Sequence, residues 1–171
     1  MKPGLLRSLL AFAAVTVPLT WLWMNGGQNA YFALYRAVAF PLLEALGVTG
    51  FPTGMVRDRM ISFIPFLALM IVTPKMGLVR RLAGIVTGFL ALFVSHIALS
   101  YWAWVSFVRD GKSEESMLFY FPALVLVDAL PFLLWALFAN RFLRELLARV
   151  LPPPPPPARP TPPPPAPPRA G

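Results

Sequence analysis

The chain has 171 residues, 57% of them hydrophobic and 13% charged, with a net charge of +8; soluble domains carry about a quarter charged residues. It has no cysteine, which excludes disulfides, thiolate metal sites and a cysteine nucleophile. Its basic residues flank apolar segments instead of forming one patch, which argues against nucleic acid as a partner.

Long uncharged segments account for the missing charge, because a span needs about 20 apolar residues. The pattern predicts an all-α membrane protein: a four-helix transmembrane bundle over residues 1–150, an outer interfacial helix, and a disordered polyproline tail over 151–171. The first predicted span, 8–24, reads SLLAFAAVTVPLTWLWM. Lys2 and Arg7 precede it, so a cleaved signal peptide is the alternative, although its Trp-rich end suits an anchor. Residues 29–48 are amphipathic in part. Arg36 and Glu44 make them a poor span, so they are expected to form one or two helices lying at the outer surface, broken near Pro41. The stretch GVTGFPTG that follows them is expected to be a loop.

The second span, 60–79, has the shortest uncharged part of the four. Its uncharged part, 60–73, covers only about 21 Å at helical rise, so it relies on Lys75 reaching outward or on a thinned bilayer. The third span is 82–108 and the fourth 117–140. Trp21 and Trp23, then Tyr101, Trp102 and Trp104, then Phe119, Tyr120 and Phe121 fall on one side of an up-down bundle, where amphipathic rings favour the headgroup level.

Orientation follows from Lys and Arg. With the N-terminus cytoplasmic, the inside holds ten basic residues and the outside five, in line with the positive-inside rule. Both termini are then cytoplasmic. The tail carries 13 of the 21 prolines. Each proline lacks an amide donor and fixes φ, so the tail should be extended polyproline II. It is either a docking peptide for an aromatic-lined groove or a spacer.

Asp128 is the only charged residue between Met117 and Asn140. A charge at mid-span costs about 2.5–3.5 kcal/mol on insertion scales, so it must pair, face water or hold its proton. His96, the chain's only histidine, lies at similar depth on the antiparallel third span and is the expected partner. Pro131 frees the Val127 carbonyl and is expected to kink the helix one turn from Asp128. Such a pair is either a titrating site or a clasp between two helices. One Asp and one His do not make a metal site or a hydrolytic triad, and no phosphate loop or other catalytic motif is present. No cofactor is expected. On the third span, Gly84, Gly88, Ala91, Ser95 and Ala98 form a small-residue ladder that starts with GxxxG, the pattern of a close helix-packing face. Its partner is left open: the fourth helix, a second copy or another protein.

The order of features resembles the small integral membrane proteins associated with exosortases, which process proteins at the bacterial envelope. The resemblance rests on the basic N-terminal anchor, the outer amphipathic stretch, PFLALMIVTP (65–74), RRLAGIVTGFLALF (80–93) and a span ending in FANRFLREL (138–146). It covers 1–150 in layout. Exosortases themselves look similar in the RRLAG helix, but their membrane-embedded cysteine has no counterpart here. The resemblance therefore implies a noncatalytic accessory subunit of the bacterial inner membrane, with the lipid bilayer and an exosortase-like membrane protein as partners. The tail adds a cytoplasmic polyproline-binding partner. The alternative is a small proton-coupled transporter or channel component that uses Asp128.

Overall fold

The computed structural model describes residues 3–50, 53–74, 76–111 and 114–150. The polyproline tail and the expected reach of Lys75 lie outside the described residues. Among those residues every element is a helix or helical turn, with no strand.

Helix α1 (Pro3–Leu22) half-buries a stripe that recurs every three or four residues, Phe12, Val15, Thr16 and Leu19, and α1 packs against α4. A wide turn, Trp23–Gly27, separates α1 from α2 (Gln28–Ala45). Here Asn25 (φ −94, ψ 32) and Gly26 (φ 128, ψ −23) leave helical space. Gly26 takes a backbone conformation that a side chain would strain, and the Asn25 amide donates to the Trp21 carbonyl at 2.8 Å. Helix α2 buries Tyr31, Tyr35, Ala39 and Leu43, one per turn. It is not broken at Pro41, as the sequence suggested. Pro41 is exposed within the continuous helix, as is Ala37, whose carbonyl the proline leaves free.

Helix α3 (Thr53–Arg59), a 3-10 turn (Met60–Ser62) and α4 (Phe63–Val72) follow without interruption. Only the α4 half of this run is free of charge, and Ile64, Phe66, Ala68 and Met70 are buried in it. Helix α5 (Leu78–Trp104) ends in a wide turn, Val105–Arg109, before α6 (Glu114–Phe138) and α7 (Asn140–Val150). Helix α6 continues through both Pro122 and Pro131.

Side-chain contacts fix the register. Ser62 meets His96, Phe66 lies against Gly88, and Met70 lies against Gly84, so the run from α3 to α4 is antiparallel to α5. Trp102 meets the Phe119 carbonyl while Gly84 faces Phe138, so α5 and α6 are antiparallel. Tyr31 meets His96 and Tyr35 meets Ser100, so α2 runs alongside α5 in the same direction. Short α4 thus sits between α1, α5 and α6.

Three helical segments are long and apolar enough to cross a membrane: Leu9–Ala45, which the turn at Gly26 divides, Leu78–Arg109 and Leu118–Phe138. About a third (33%) of the second is buried, against 6% and 11% for the others, so α5 is the most enclosed of the three. Among the expected aromatic edges, Trp21, Trp102, Phe119 and Phe121 are exposed, but Trp23 and Tyr120 are buried. Trp23 turns into the core, with its ring 5.6 Å from that of Tyr31.

The small-residue ladder is a packing face only in part. Gly84 and Gly88 are buried against Met70, Phe66 and Phe138 of the same chain. Ala91 and Ser95 are half-buried, and Ala98 is exposed. The cause is helical periodicity. The buried line continues as Leu92, His96, Leu99 and Ala103, steps of three and four that follow α4 and α6, whereas the small residues drift off that line.

Candidate functional site

Eight residues before the end of α5, about 12 Å along the helix, a layer of polar groups crosses the bundle. His96 is fully buried. Its Nδ1 lies 2.9 Å from the Tyr31 hydroxyl, and its Nε2 lies 3.2 Å from the Ser62 hydroxyl. Both ring nitrogens are therefore engaged, one as donor and one as acceptor in the neutral ring. One turn further along, the Tyr35 hydroxyl donates to the His96 carbonyl at 3.3 Å and shares a short hydrogen bond with Ser100. Tyr31 and Tyr35 stand one turn apart on α2, His96 and Ser100 one turn apart on α5, so two helices running in the same direction meet in matched steps. The Phe89 and Phe93 rings pack edge-on to Tyr31. An unpaired polar group in such a place costs about 1–3 kcal/mol, so satisfied partners hold the helices in one register.

Asp128 is placed elsewhere. Its Oδ2 accepts from the Arg59 guanidinium at 2.6 Å, and the two side chains are 45% and 40% exposed. The expected His96–Asp128 contact is thus replaced by two separate arrangements. The physical reason is the neck between α3 and α4. Ser62 bonds His96 on one side and, on the other, lines the cleft that Asp128 and Arg59 share, so the neck lies between the two residues. This cleft is about 500 Å³ and also takes in Asp58, Tyr120, Leu124 and Pro131. Pro131 is fully buried in its wall.

The sequence reading missed Arg59, Tyr31, Tyr35, Ser62 and Ser100. A signal existed for some of them. Tyr31 and Tyr35 lie at i and i+4 on the apolar face of an amphipathic stretch, and Arg59 is the last charge before a span, positioned to reach a carboxylate in a neighbouring helix.

A second polar cluster closes the other end of the bundle. Thr73 donates to the Leu69 carbonyl at 2.6 Å and accepts from the Trp135 indole at 2.7 Å. Arg81 donates to the Thr73 carbonyl at 2.8 Å, and Arg80 donates to Asn140 at 2.9 Å. These bonds tie the α4–α5 connection to the junction of α6 and α7. No group of three or more metal-ligating side chains occurs among the described residues.

Chemically, the first layer offers a neutral imidazole between two hydroxyls, and the cleft offers a carboxylate held by a guanidinium. Both arrangements satisfy their own members. Compared with models of known families, with curated proteins and with solved structures, the chain finds no match.

Proposed function

We propose that this chain is a noncatalytic subunit of the bacterial cytoplasmic membrane that works by packing beside a partner membrane protein of an exosortase-like envelope-sorting system. In this reading it crosses the bilayer four times, through α1, the run from α3 to α4, α5 and α6. Both termini are cytoplasmic, and the tail over 151–171 is available to a polyproline-binding partner. One observation carries the proposal. The strongest polar groups are spent on internal clasps, Tyr31–His96–Ser62 and Arg59–Asp128, while the outward face of α5 is a continuous apolar stripe of Val79, Leu82, Val86, Leu90 and Val94. The partner is reached through side chains like these, because Gly84 and Gly88 are already occupied within the chain.

The test is crosslinking in native membranes followed by capture through a tag that spares the tail. Photocrosslinkers at Val86 and Val94 should recover one membrane protein in stoichiometric yield, and recovery of lipid adducts alone would reject a partner at this face. A reporter fused after Gly111 should be periplasmic, and one after Pro168 cytoplasmic. The tail-docking component requires that deleting 152–171 remove the phenotype.

A second reading, a proton-coupled transporter or channel component, draws support from the Arg59–Asp128 pair that lines a cleft of about 500 Å³. The two are separated by Asp128→Asn. Retained assembly together with lost pH-dependent flux in proteoliposomes supports transport and counts against the accessory reading, whereas retained function excludes proton transfer by this carboxylate.

A further inference from the structure

At the end of the bundle opposite the His96 layer, a cleft of about 560 Å³ opens between the start of α5 and the junction of α6 with α7. Its lining divides by chemistry. Met76, Leu78, Phe138 and Phe142 supply apolar walls, and Arg80 and Arg141 supply cationic groups from two different helices. We propose that this cleft binds the phosphate headgroup of an anionic phospholipid, with the upper part of an acyl chain against its apolar walls.

Four observations carry the proposal. The first is position. α7 begins two residues after the last residue of α6, the end of an apolar segment long enough to cross a membrane, so the cleft lies where hydrocarbon gives way to headgroups. The second is preorganisation. The Arg80 guanidinium is held by Asn140 at 2.9 Å, which fixes a cation at the rim before any ligand arrives, and guanidinium groups match phosphate geometry. Arg81, next in sequence, is anchored on the Thr73 carbonyl at 2.8 Å and adds to the positive field. The third is the amphipathic form of α7. Phe142 and Leu143 are half-buried while Arg141 and Arg144 are exposed, the division expected of a helix lying in an anionic membrane surface. The fourth observation selects among ligands. A free phosphate gains nothing from Leu78, Phe138 and Phe142, whereas a phospholipid uses the cations and the apolar walls together.

The experiment uses the full chain in detergent micelles. Phosphatidylglycerol, phosphatidylcholine and inorganic phosphate are supplied separately, and bound lipid is counted by native mass spectrometry. Phosphatidylglycerol should be retained at one per chain, at least tenfold more than phosphatidylcholine, and inorganic phosphate should not displace it. Arg80→Gln with Arg141→Gln should reduce retention at least tenfold, as should Ala83→Phe, which fills the cleft without changing charge. Arg109→Gln, at the other end, should leave retention unchanged. Equal retention of the two lipids, displacement by inorganic phosphate, or loss in Arg109→Gln to the same degree would each overturn the proposal. The wild-type comparison decides the matter even if a cleft variant fails to fold.

Discussion

A methyl group at position 88 tests how the bundle is packed. In an isolated helix, replacing glycine by alanine stabilises by about 1 kcal/mol. At Gly88 the added carbon would fall on the Phe66 ring, meeting three ring carbons of which the farthest is 2.9 Å away. Phe66 is fully buried between α4 and α5, so the ring cannot swing into open space. Overpacking of this kind costs about 1–3 kcal/mol. Three contacts with a rigid ring put the cost near the upper end, which leaves Gly88→Ala about 1–2 kcal/mol less stable after the helical gain. Gly84→Ala is the matched control. There the first obstacle is the flexible end of Met70, with Phe138 at 3.1 Å, and methionine adapts to changes in shape. Its stability should stay within about 1 kcal/mol of wild type. Equilibrium unfolding by SDS titration in mixed micelles measures both, and Phe66→Leu should recover at least half of the Gly88→Ala loss in a double-mutant cycle. If the two alanine variants prove equally stable, or if Gly88→Ala changes oligomeric state and not stability, the assignment of this face to internal packing fails.

Three further outcomes follow from the polar groups and the turn. Arg59→Asp and Asp128→Arg should each destabilise by about 1–2 kcal/mol, between the values of exposed and buried pairs, and the double exchange should regain most of that in the same titration. Tyr35→Phe should cost about 1–2 kcal/mol because it strands the buried Ser100 hydroxyl, while His96→Ala should cost more, because it strands both Tyr31 and Ser62 and leaves a void. Gly26→Ala should cost about 1–3 kcal/mol, since its φ of 128 suits no side chain. Cysteine-pair crosslinking between α1 and α2 would report whether the turn has straightened.

What could be read from the sequence was whatever depends on lipid as a solvent. The uncharged runs in α5 and α6 announced themselves, and the loneliness of Asp128 marked it as a group needing a partner. The partner itself was not legible. Depth arithmetic brought His96 level with Asp128, but depth is one coordinate, and which neck of chain passes between two helices is set by tertiary packing. The ladder on α5 held only in part for a related reason. Small residues mark where backbones can approach, and only the first two lie where α4 arrives; beyond Gly88 the buried line is continued by Leu92 and His96. Trp23 and Tyr31 were hidden because aromatic residues serve equally well at a membrane boundary and in a core. Pro41 was misread because it and Ala37 lie on the exposed side of α2, where the helix continues past them.

The apolar length of α4 has a consequence for what holds it in place. Ten residues cover about 15 Å, half the thickness of a bilayer's hydrocarbon layer, and α4 is not among the three segments long enough to cross one. Its walls are α1, α5 and α6, and two of those three follow it in the chain. A chain that ends before residue 114 therefore lacks α6 and leaves one side of α4 uncovered.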